Sequence, residues 1–180
     1  MRQTTHITIE HSVVASDRSY EQVTESLEAQ LGLRADWDKI TRALITTNAS
    51  WEQAVQTVEQ QLGTSGFTIF SKIEQGALLT LRGKPTRAAQ YAIGNPLLAI
   101  QMIEHVPEVA LYAPLRLTVY EGNDGRTFVA YEHFTSQLAQ YQREEIMHIA
   151  QLVEQKLEAL VAEATGSREE MLSEHERAKE

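Results

Sequence analysis

The chain has 180 residues, no cysteine and a formal net charge of −9 at pH 7. Its length is that of about one domain with a substantial core, and the lack of cysteine excludes disulfides, thiolate metal sites and cysteine nucleophiles. The acidic balance, with 16 basic residues scattered along the chain, argues against nucleic acid as a partner because a negative surface repels phosphate.

The N-terminal region alternates apolar and polar residues instead of forming an apolar run. Residues 6–14 are therefore predicted as a strand, with Ile7, Ile9, His11 and Val13 on its apolar face. Neither a signal peptide nor a membrane span is expected from this stretch. The corresponding prediction is a cytoplasmic protein that does not enter a membrane.

Two helices begin and end with the same signals. Ser19 and Ser50 are each followed three residues later by a glutamine, which is the pattern of a capping box, and the helices stop at Gly32 and Gly63. A short helix over residues 36–46 is predicted between them. An internal duplication and the convergence of two capped amphipathic helices both explain the likeness. Convergence is favoured because the sequences after the two glycines differ.

The middle of the chain is predicted as a strand, a mostly irregular segment and a second strand, over residues 67–73, 76–85 and 87–93. Gly94, Asn95 and Pro96 then form a turn, because glycine and asparagine tolerate left-handed backbone angles and proline fixes φ. Proline also suits the first turn of a helix, so a helix is expected to follow and to stop before Pro107.

The clearest hairpin follows Pro114. Alternating residues predict strands over 115–121 and 127–131, joined by a turn that contains Asp124 and Gly125. Apolar residues at three- and four-residue spacing then predict one long helix from Ser136 to Gly166. The predicted domain covers residues 1–165, and residues 166–180 are predicted to be a mobile charged tail.

This order of elements, β-α-(α)-α-β-β-α-β-β-α, predicts the α+β fold class. The loop of the hairpin is too short for a parallel crossover. We therefore expect an antiparallel β-sheet with helices packed on one side.

Four stretches of the chain resemble the family called domain of unknown function 302. They are residues 66–70 (GFTIF), 74–79 (EQGALL), 92–96 (AIGNP) and 110–121 (ALYAPLRLTVYE). The likeness covers a family core of about 50–135 and extends over 5–162 in the longer bacterial form. It implies a TATA-binding-protein-like α+β fold and association as a homodimer. It implies no reaction, ligand or catalytic residue.

The first candidate site is the turn at Gly94 and Asn95, where the start of a helix could attract an anion. The alternative is that this turn only connects a strand to a helix. The second candidate is Glu121, which extends an apolar strand face and could serve as an acid, a base or a cation ligand. The alternative is a solvated carboxylate beside the hairpin turn.

Histidines and aromatic residues supply the remaining candidates. His11 lies on the predicted apolar face of the first strand, and with His133 and Glu121 it could form an acid–base or metal site. Satisfied or edge histidines are the favoured alternative, so no metal and no cofactor are predicted. Tyr91, Tyr131 and Arg116 fall on predicted strands, where they could frame a ligand pocket or a dimer interface. Ordinary cross-strand pairs would also place them there.

Together these patterns favour a non-enzymatic module that binds a small apolar or amphipathic molecule or a protein partner, and that acts as a homodimer. The supporting observation is a sheet with apolar residues on both faces and no catalytic motif. The alternative is a small enzyme that uses Glu121 with a histidine.

Overall fold

A computed structural model of the chain describes residues 4–167. The elements in chain order are β1 (His11–Ser16), α1 (Tyr20–Ala29), α2 (Trp37–Thr46), α3 (Trp51–Glu59), β2 (Thr68–Glu74), β3 (Ala88–Gly94), α4 (Pro96–Ile103), β4 (Leu115–Glu121), β5 (Thr127–Glu132), α5 (Phe134–Leu138) and α6 (Glu144–Thr165). Short 3-10 helices cover Ala77–Arg82, Pro107–Tyr112 and Ala139–Tyr141. The first of these occupies part of the segment that was predicted to be irregular.

The five strands form one antiparallel sheet in the order β1-β5-β4-β3-β2. Side chains alternate across it, so that Tyr91, Leu117 and Val129 are buried while Gln90 and Arg116 face the other way. The helices pack on the buried face. The predicted α+β class, with an antiparallel sheet and helices on one side, is confirmed.

Helices α1 and α6 cover most of this face. Val23 and Leu27 of α1 are fully buried, and α6 buries residues at three- and four-residue spacing, among them Ile146, Leu157 and Leu160. Each fully buried side chain of this kind stabilises the fold by about 1.5–3 kcal/mol. The opposite face of the sheet, called the open face below, is left with side chains that are partly or fully exposed.

The first strand lies later in the chain than residues 6–14, and the side that carries His11 and Val13 faces away from the helices. β1 pairs with β5 from His11 opposite Glu132 to Ser16 opposite Thr127. Because β5 ends at Glu132, earlier residues have no partner strand. Ser16 is buried on the helical side, whereas His11 and Val13 lie on the open face. His11 and Val13 share one side of the strand, as the alternation predicts, but this side faces away from the helices.

A bulge in β2 changes which side chains share a face. The register of β2 against β3 shifts between Ile69 and Ser71, which inserts an unpaired residue and reverses the alternation. Ile69 faces the core, but Ile73 pairs with Gln90 on the open face and is 47% exposed. The bulge therefore places Ile73 on the opposite face from Phe67 and Ile69.

The predicted long helix is broken into two. Gln142 has φ 50°, a left-handed conformation that ends the 3-10 turn before it, and α6 begins two residues later. The break lets α5 place Phe134 and Leu138 in the core at a different angle from α6. Gly166 ends α6 with φ 81°. The predicted tail lies outside the described residues, apart from its first two.

The ends of α1 and α3 cross at two glycines. Both helices begin with complete capping boxes, at Ser19 and Ser50. Gly32 and Gly63 then approach so closely that a Cβ on Gly32 would lie 1.8 Å from the carbonyl oxygen of Gln61. Both glycine amides donate to the carbonyl oxygen of Phe67 at 2.9 Å. The repeated serine-to-glycine pattern therefore builds one compact junction at the start of β2.

Candidate functional site

An apolar groove of about 260 Å³ lies between α2, the ends of β2 and β3, and α4. Its lining residues are Trp37, Thr41, Phe70, Gly94, Asn95, Pro96, Ala99, Ile100, Ile103, Ala113 and Pro114. Nearly all are apolar or aromatic, which is the usual lining of a small-molecule site. The α2–α4 groove, as we call it, contains two of the residues that the sequence singled out, Gly94 and Asn95.

Trp37 forms one wall of the α2–α4 groove. Its ring stacks on Phe70, with 5.6 Å between ring centroids and 25° between planes. The indole Nε1 is buried, yet it has no hydrogen-bond partner among the described residues. A buried donor without a partner costs free energy comparable to a lost hydrogen bond. An acceptor could reach this N–H group only if Trp37 or α2 shifted, because the nitrogen itself has no exposed surface.

Helix α2 is held only lightly by the rest of the fold. It has apolar residues along one side, but none of its residues is buried, and Ile45 is 71% exposed. A helix with an uncovered apolar side can still bury more surface. A molecule in the α2–α4 groove would therefore cover part of the uncovered side of α2.

The first turn of α4 is already capped from within. The Asn95 side chain accepts from the amides of Leu97 and Leu98 at 2.9 and 3.4 Å and donates to the carbonyl oxygen of Gly66 at 2.9 Å. The amides that could attract an anion are thus partly occupied by Asn95. This geometry favours the simple connecting turn over an anion site at Gly94 and Asn95.

The open face carries Arg116 and His11, together with Glu132. These residues line a shallow depression of about 250 Å³. Val13 and Ile73, 49% and 47% exposed, mark the two ends of a row that crosses the face. Mixed apolar and charged side chains on one exposed sheet face are typical of an interaction surface.

Glu121 is far from both histidines with which it was considered. It lies opposite Thr127, at one end of the hairpin, whereas His11 lies opposite Glu132 at the other end. Its carboxylate is 3.5 Å from Nε of Arg87. The structure therefore separates Glu121 from both His11 and His133, the two histidines considered with it.

Tyr91 and Tyr131 point to the helical side of the sheet, away from Arg116. The Tyr91 hydroxyl donates to Glu28 at 2.6 Å, and the same carboxylate binds the Lys72 ammonium at 2.9 Å. Burial and the neighbouring Glu28 raise the pKa of Tyr91 far above its ordinary value. The phenol therefore stays protonated and fastens α1 to β3.

A second polar group of residues lies where β1, β5 and α6 meet. The Ser12 hydroxyl is 2.7 Å from Nε2 of His133, and Nδ1 of His133 is 3.1 Å from Glu154. The other oxygen of Glu154 accepts from the amide and hydroxyl of Thr135 at 2.8 and 2.7 Å. Burial raises the pKa of Glu154, but these hydrogen bonds outweigh burial and hold that pKa below its ordinary value.

Glu158 also approaches His133, 3.9 Å from Nδ1. Ligand atoms of His133, Glu154 and Glu158 lie within 4.8 Å of one another, close enough for a metal ion. Both oxygens of Glu154 are already engaged by His133 and Thr135. The arrangement thus fits a hydrogen-bonded network better than an open metal site.

Little in the sequence indicates that Trp37, Phe70, Ser12 or Glu154 is a site residue. Trp37 and Phe70 resemble ordinary core aromatics, and Glu154 lies among the polar residues of a long amphipathic helix. Their neighbours come from distant segments, so that only the folded chain brings them together. The one usable sequence signal was Asn95 before Pro96, which marks the helix end beside the α2–α4 groove.

Comparisons with known proteins agree with the resemblance drawn from the sequence. The family model described as "Domain of unknown function DUF302" matches residues 44–164. The crystal structure of an uncharacterised conserved DUF302 protein from Bacillus stearothermophilus is similar, with a TM-score of 0.59 and 18% identity over 86% of this chain and 97% of that one. No curated protein matches the chain. Within residues 4–167, no helix has the length and apolar character needed to cross a membrane.

Proposed function

We propose that this chain, which belongs to the DUF302 family of unknown function, is a module that binds a small apolar or amphipathic molecule in the α2–α4 groove. The observation that carries the proposal is a groove lined almost entirely by apolar and aromatic side chains, with the Trp37–Phe70 stack as one wall. A flat apolar ring fits this lining.

The energetic reason for binding is the surface that the groove leaves uncovered. A ligand between Trp37 and α4 would remove apolar side chains such as Ile100, which is 38% exposed, from water. Complete burial of one such side chain is worth about 1.5–3 kcal/mol. Because α2 buries none of its residues, it can close on a ligand at little cost.

The second part of the proposal is a homodimer formed through the open face. Ile73, Gln90, Thr118, Ala130 and Val13 follow one another across the sheet in register. The row has small residues at its centre and exposed apolar residues at its ends, which allows close approach of a second sheet.

Charge also favours a second copy as the partner on this face. Arg116 forms no ion pair with any residue from 4 to 167. Glu132 lies beside it at the same depression. A two-fold axis that passes through this depression would bring Arg116 of one copy close to Glu132 of the other, and the self-complementary interface would form the same pair twice.

The alternative enzyme based on Glu121 and a histidine has no comparable support. Its two groups lie at opposite ends of the hairpin, and Glu121 already faces Arg87. A proton would have to cross the length of a strand between them. We therefore assign no catalytic role to Glu121.

A fluorescence titration with 1-anilinonaphthalene-8-sulfonate, an amphipathic ring compound, tests the binding proposal. Ala99→Phe fills the α2–α4 groove, which Ala99 lines, whereas Ala110→Phe places the same ring at an exposed position outside it. Saturable binding that A99F weakens by about tenfold or more, which is 1.4 kcal/mol, and that A110F leaves unchanged supports the proposal. Equal binding by wild type and A99F contradicts it.

A further inference from the structure

The Ser12–His133–Glu154 network has the order of contacts found in nucleophile–base–acid sites. The three side chains are joined through both ring nitrogens of His133, at 2.7 Å to Ser12 and 3.1 Å to Glu154. Such sites are recognised by a hydroxyl in contact with a base that a third group orients, whatever the fold or chain order. No step of the proposed binding function uses these residues.

The hydrogen bonds determine which nitrogen of His133 carries the proton. Glu154 is held as a carboxylate by Thr135, and a carboxylate can only accept. In neutral His133, therefore, Nδ1 is the donor and Nε2 has a free lone pair. That lone pair faces the Ser12 hydroxyl, so that the serine proton points at a base.

Tyr131 supplies a hydroxyl beside Ser12. It lies directly opposite Ser12 in the β1–β5 register. Burial and the Glu158 carboxylate raise the pKa of Tyr131, and the neighbouring Ser12 hydroxyl opposes that rise. The phenol is therefore protonated at neutral pH, and because the Ser12 proton points to His133, the O–H of Tyr131 is a donor on the other side of Ser12.

We propose that Ser12, His133 and Glu154 form a catalytic site that hydrolyses small carboxylic esters. Oγ of Ser12 bonds to the acyl carbon while its proton moves to Nε2 of His133. The carbon–oxygen bond to the alcohol then breaks, and the alcohol leaves with that proton. Water next attacks the acyl-serine, gives a proton to Nε2 and releases the acid, and Ser12 recovers its hydrogen. Glu154 stabilises the imidazolium that forms in both halves.

The surrounding backbone fixes this geometry. The His133 amide donates to the carbonyl oxygen of Glu10 at 2.9 Å. Ser136 accepts from the Glu10 amide at 3.0 Å and donates to the His133 carbonyl at 2.7 Å. The start of β1 is thereby tied to the residue that carries the base. Rigid placement of this kind is what catalytic groups require.

The position of the site indicates the class of ester. Ser12 lies on an edge strand and is partly exposed, so a small substrate reaches it without a deep channel. Glu158 stands next to His133 and is about half exposed. A carboxylate at the rim repels anions, which favours neutral or cationic esters with short acyl groups.

Labelling of the full chain with a fluorophosphonate probe, followed by mass analysis of the peptides, tests the proposal. The expected result is a single adduct on Ser12 that Ser12→Ala removes, and that His133→Gln and Glu154→Gln slow by about tenfold or more. Ser71→Ala, which changes a serine of β2 outside the network, is the matched control and leaves labelling unchanged. Far-UV circular dichroism confirms that each variant is folded. The proposal is overturned if Ser12 is not labelled, or if His133→Gln and Glu154→Gln are labelled at the wild-type rate.

A second variant tests the base without depending on loss of function. The chain has no cysteine, so Ser12→Cys introduces a single thiol in contact with His133. Its alkylation by iodoacetamide at neutral pH is expected to be at least about fivefold faster than that of Ser71→Cys, because a nearby base promotes the thiolate. Adding His133→Gln removes the difference. Equal rates for the two thiols contradict activation by His133.

Discussion

Gly32 and Gly63 both lack a side chain, which allows the ends of α1 and α3 to meet. A Cβ on Gly32 would lie 1.8 Å from the carbonyl oxygen of Gln61, and one on Gly63 would lie 2.2 Å from that of Gln30. The obstructing atoms belong to the backbone, which cannot turn aside as a side chain does. The junction therefore has to open before any larger residue fits.

Gly32→Ala is predicted to lower the free energy of unfolding by about 2–4 kcal/mol, because it separates the α1 and α3 ends and strains their bonds to Phe67. Gly83→Ala is the control. It meets no atom within 4 Å, but Gly83 has φ 70°, so it costs only about 1 kcal/mol of backbone strain. Urea unfolding of the variants measures both values. Equal losses would show that the close crossing is unimportant.

Glu154→Gln is predicted to lower stability in a pH-dependent way. The pKa of Glu154 is held below its ordinary value of 4.5 in the folded chain. Its carboxylate therefore contributes stability that is present above pH 4.5 and is lost as the pH falls through the folded pKa. The difference from wild type should be about 1–3 kcal/mol at pH 7 and should shrink under acid.

Denaturant titrations at pH 7 and at pH 3–4 measure this difference. Glu25→Gln, a change at an exposed position of α1, provides a control for the general loss of one negative charge. A gap between wild type and E154Q that stays constant across this range would mean that the carboxylate adds no specific stability.

At the scale of the element, Asn95 joins α4 to the rest of the fold. Asn95→Ala removes both the cap of α4 and the bond to Gly66, and is predicted to cost about 1–2 kcal/mol. Asn95→Ser keeps a capping oxygen and places no second oxygen opposite the Gly66 carbonyl, so it should cost less than alanine. Thermal unfolding checks this order. A serine variant as unstable as the alanine variant would contradict the capping role.

The elements with local signals could be predicted from the sequence. Capping boxes at Ser19 and Ser50, the turn at Asn95 and the β4–β5 hairpin depend on nearby residues, and the structure contains all of them. The position of β1, the bulge in β2 and the break at Gln142 depend on partners distant in the chain. An alternating pattern cannot show where its partner strand ends.

The contrast between local signals and distant partners also explains which site residues could be predicted from the sequence. Gly94 and Asn95 were identified because a turn before proline is visible locally, and they line the α2–α4 groove. Trp37 belongs to a separate helix, and its place beside Phe70 results from packing. Ser12 and Glu154 are 142 positions apart in a chain of 180, with no shared pattern to connect them.

At the scale of the whole molecule, the proposed homodimer would form through the uncovered sheet. The double substitution Val13→Lys with Ile73→Lys is predicted to convert a dimer to a monomer, because it places like charges at both ends of the row that crosses the open face. Leu81→Lys is the matched control, since Leu81 is 86% exposed but lies in the Ala77–Arg82 turn.

Light scattering coupled to size-exclusion chromatography gives the mass of each variant. The wild type and L81K are expected to elute as dimers and the double variant as a monomer. If the wild type is a monomer, or if the double variant is still a dimer, the open face is not the dimer interface. Because the α2–α4 groove is separate from this face, A99F should remain a dimer.

The most direct test of the binding function follows the two indole N–H signals in a ¹⁵N–¹H correlation spectrum during titration with 1-anilinonaphthalene-8-sulfonate. The chain has two tryptophans. Trp37 lines the groove, Trp51 is 59% exposed outside it, and Trp51→Phe assigns the signals. The account predicts a saturable shift of the Trp37 signal, absent in A99F, while the Trp51 signal stays in place. A Trp37 signal that does not move as the probe binds would contradict the α2–α4 groove as the binding site.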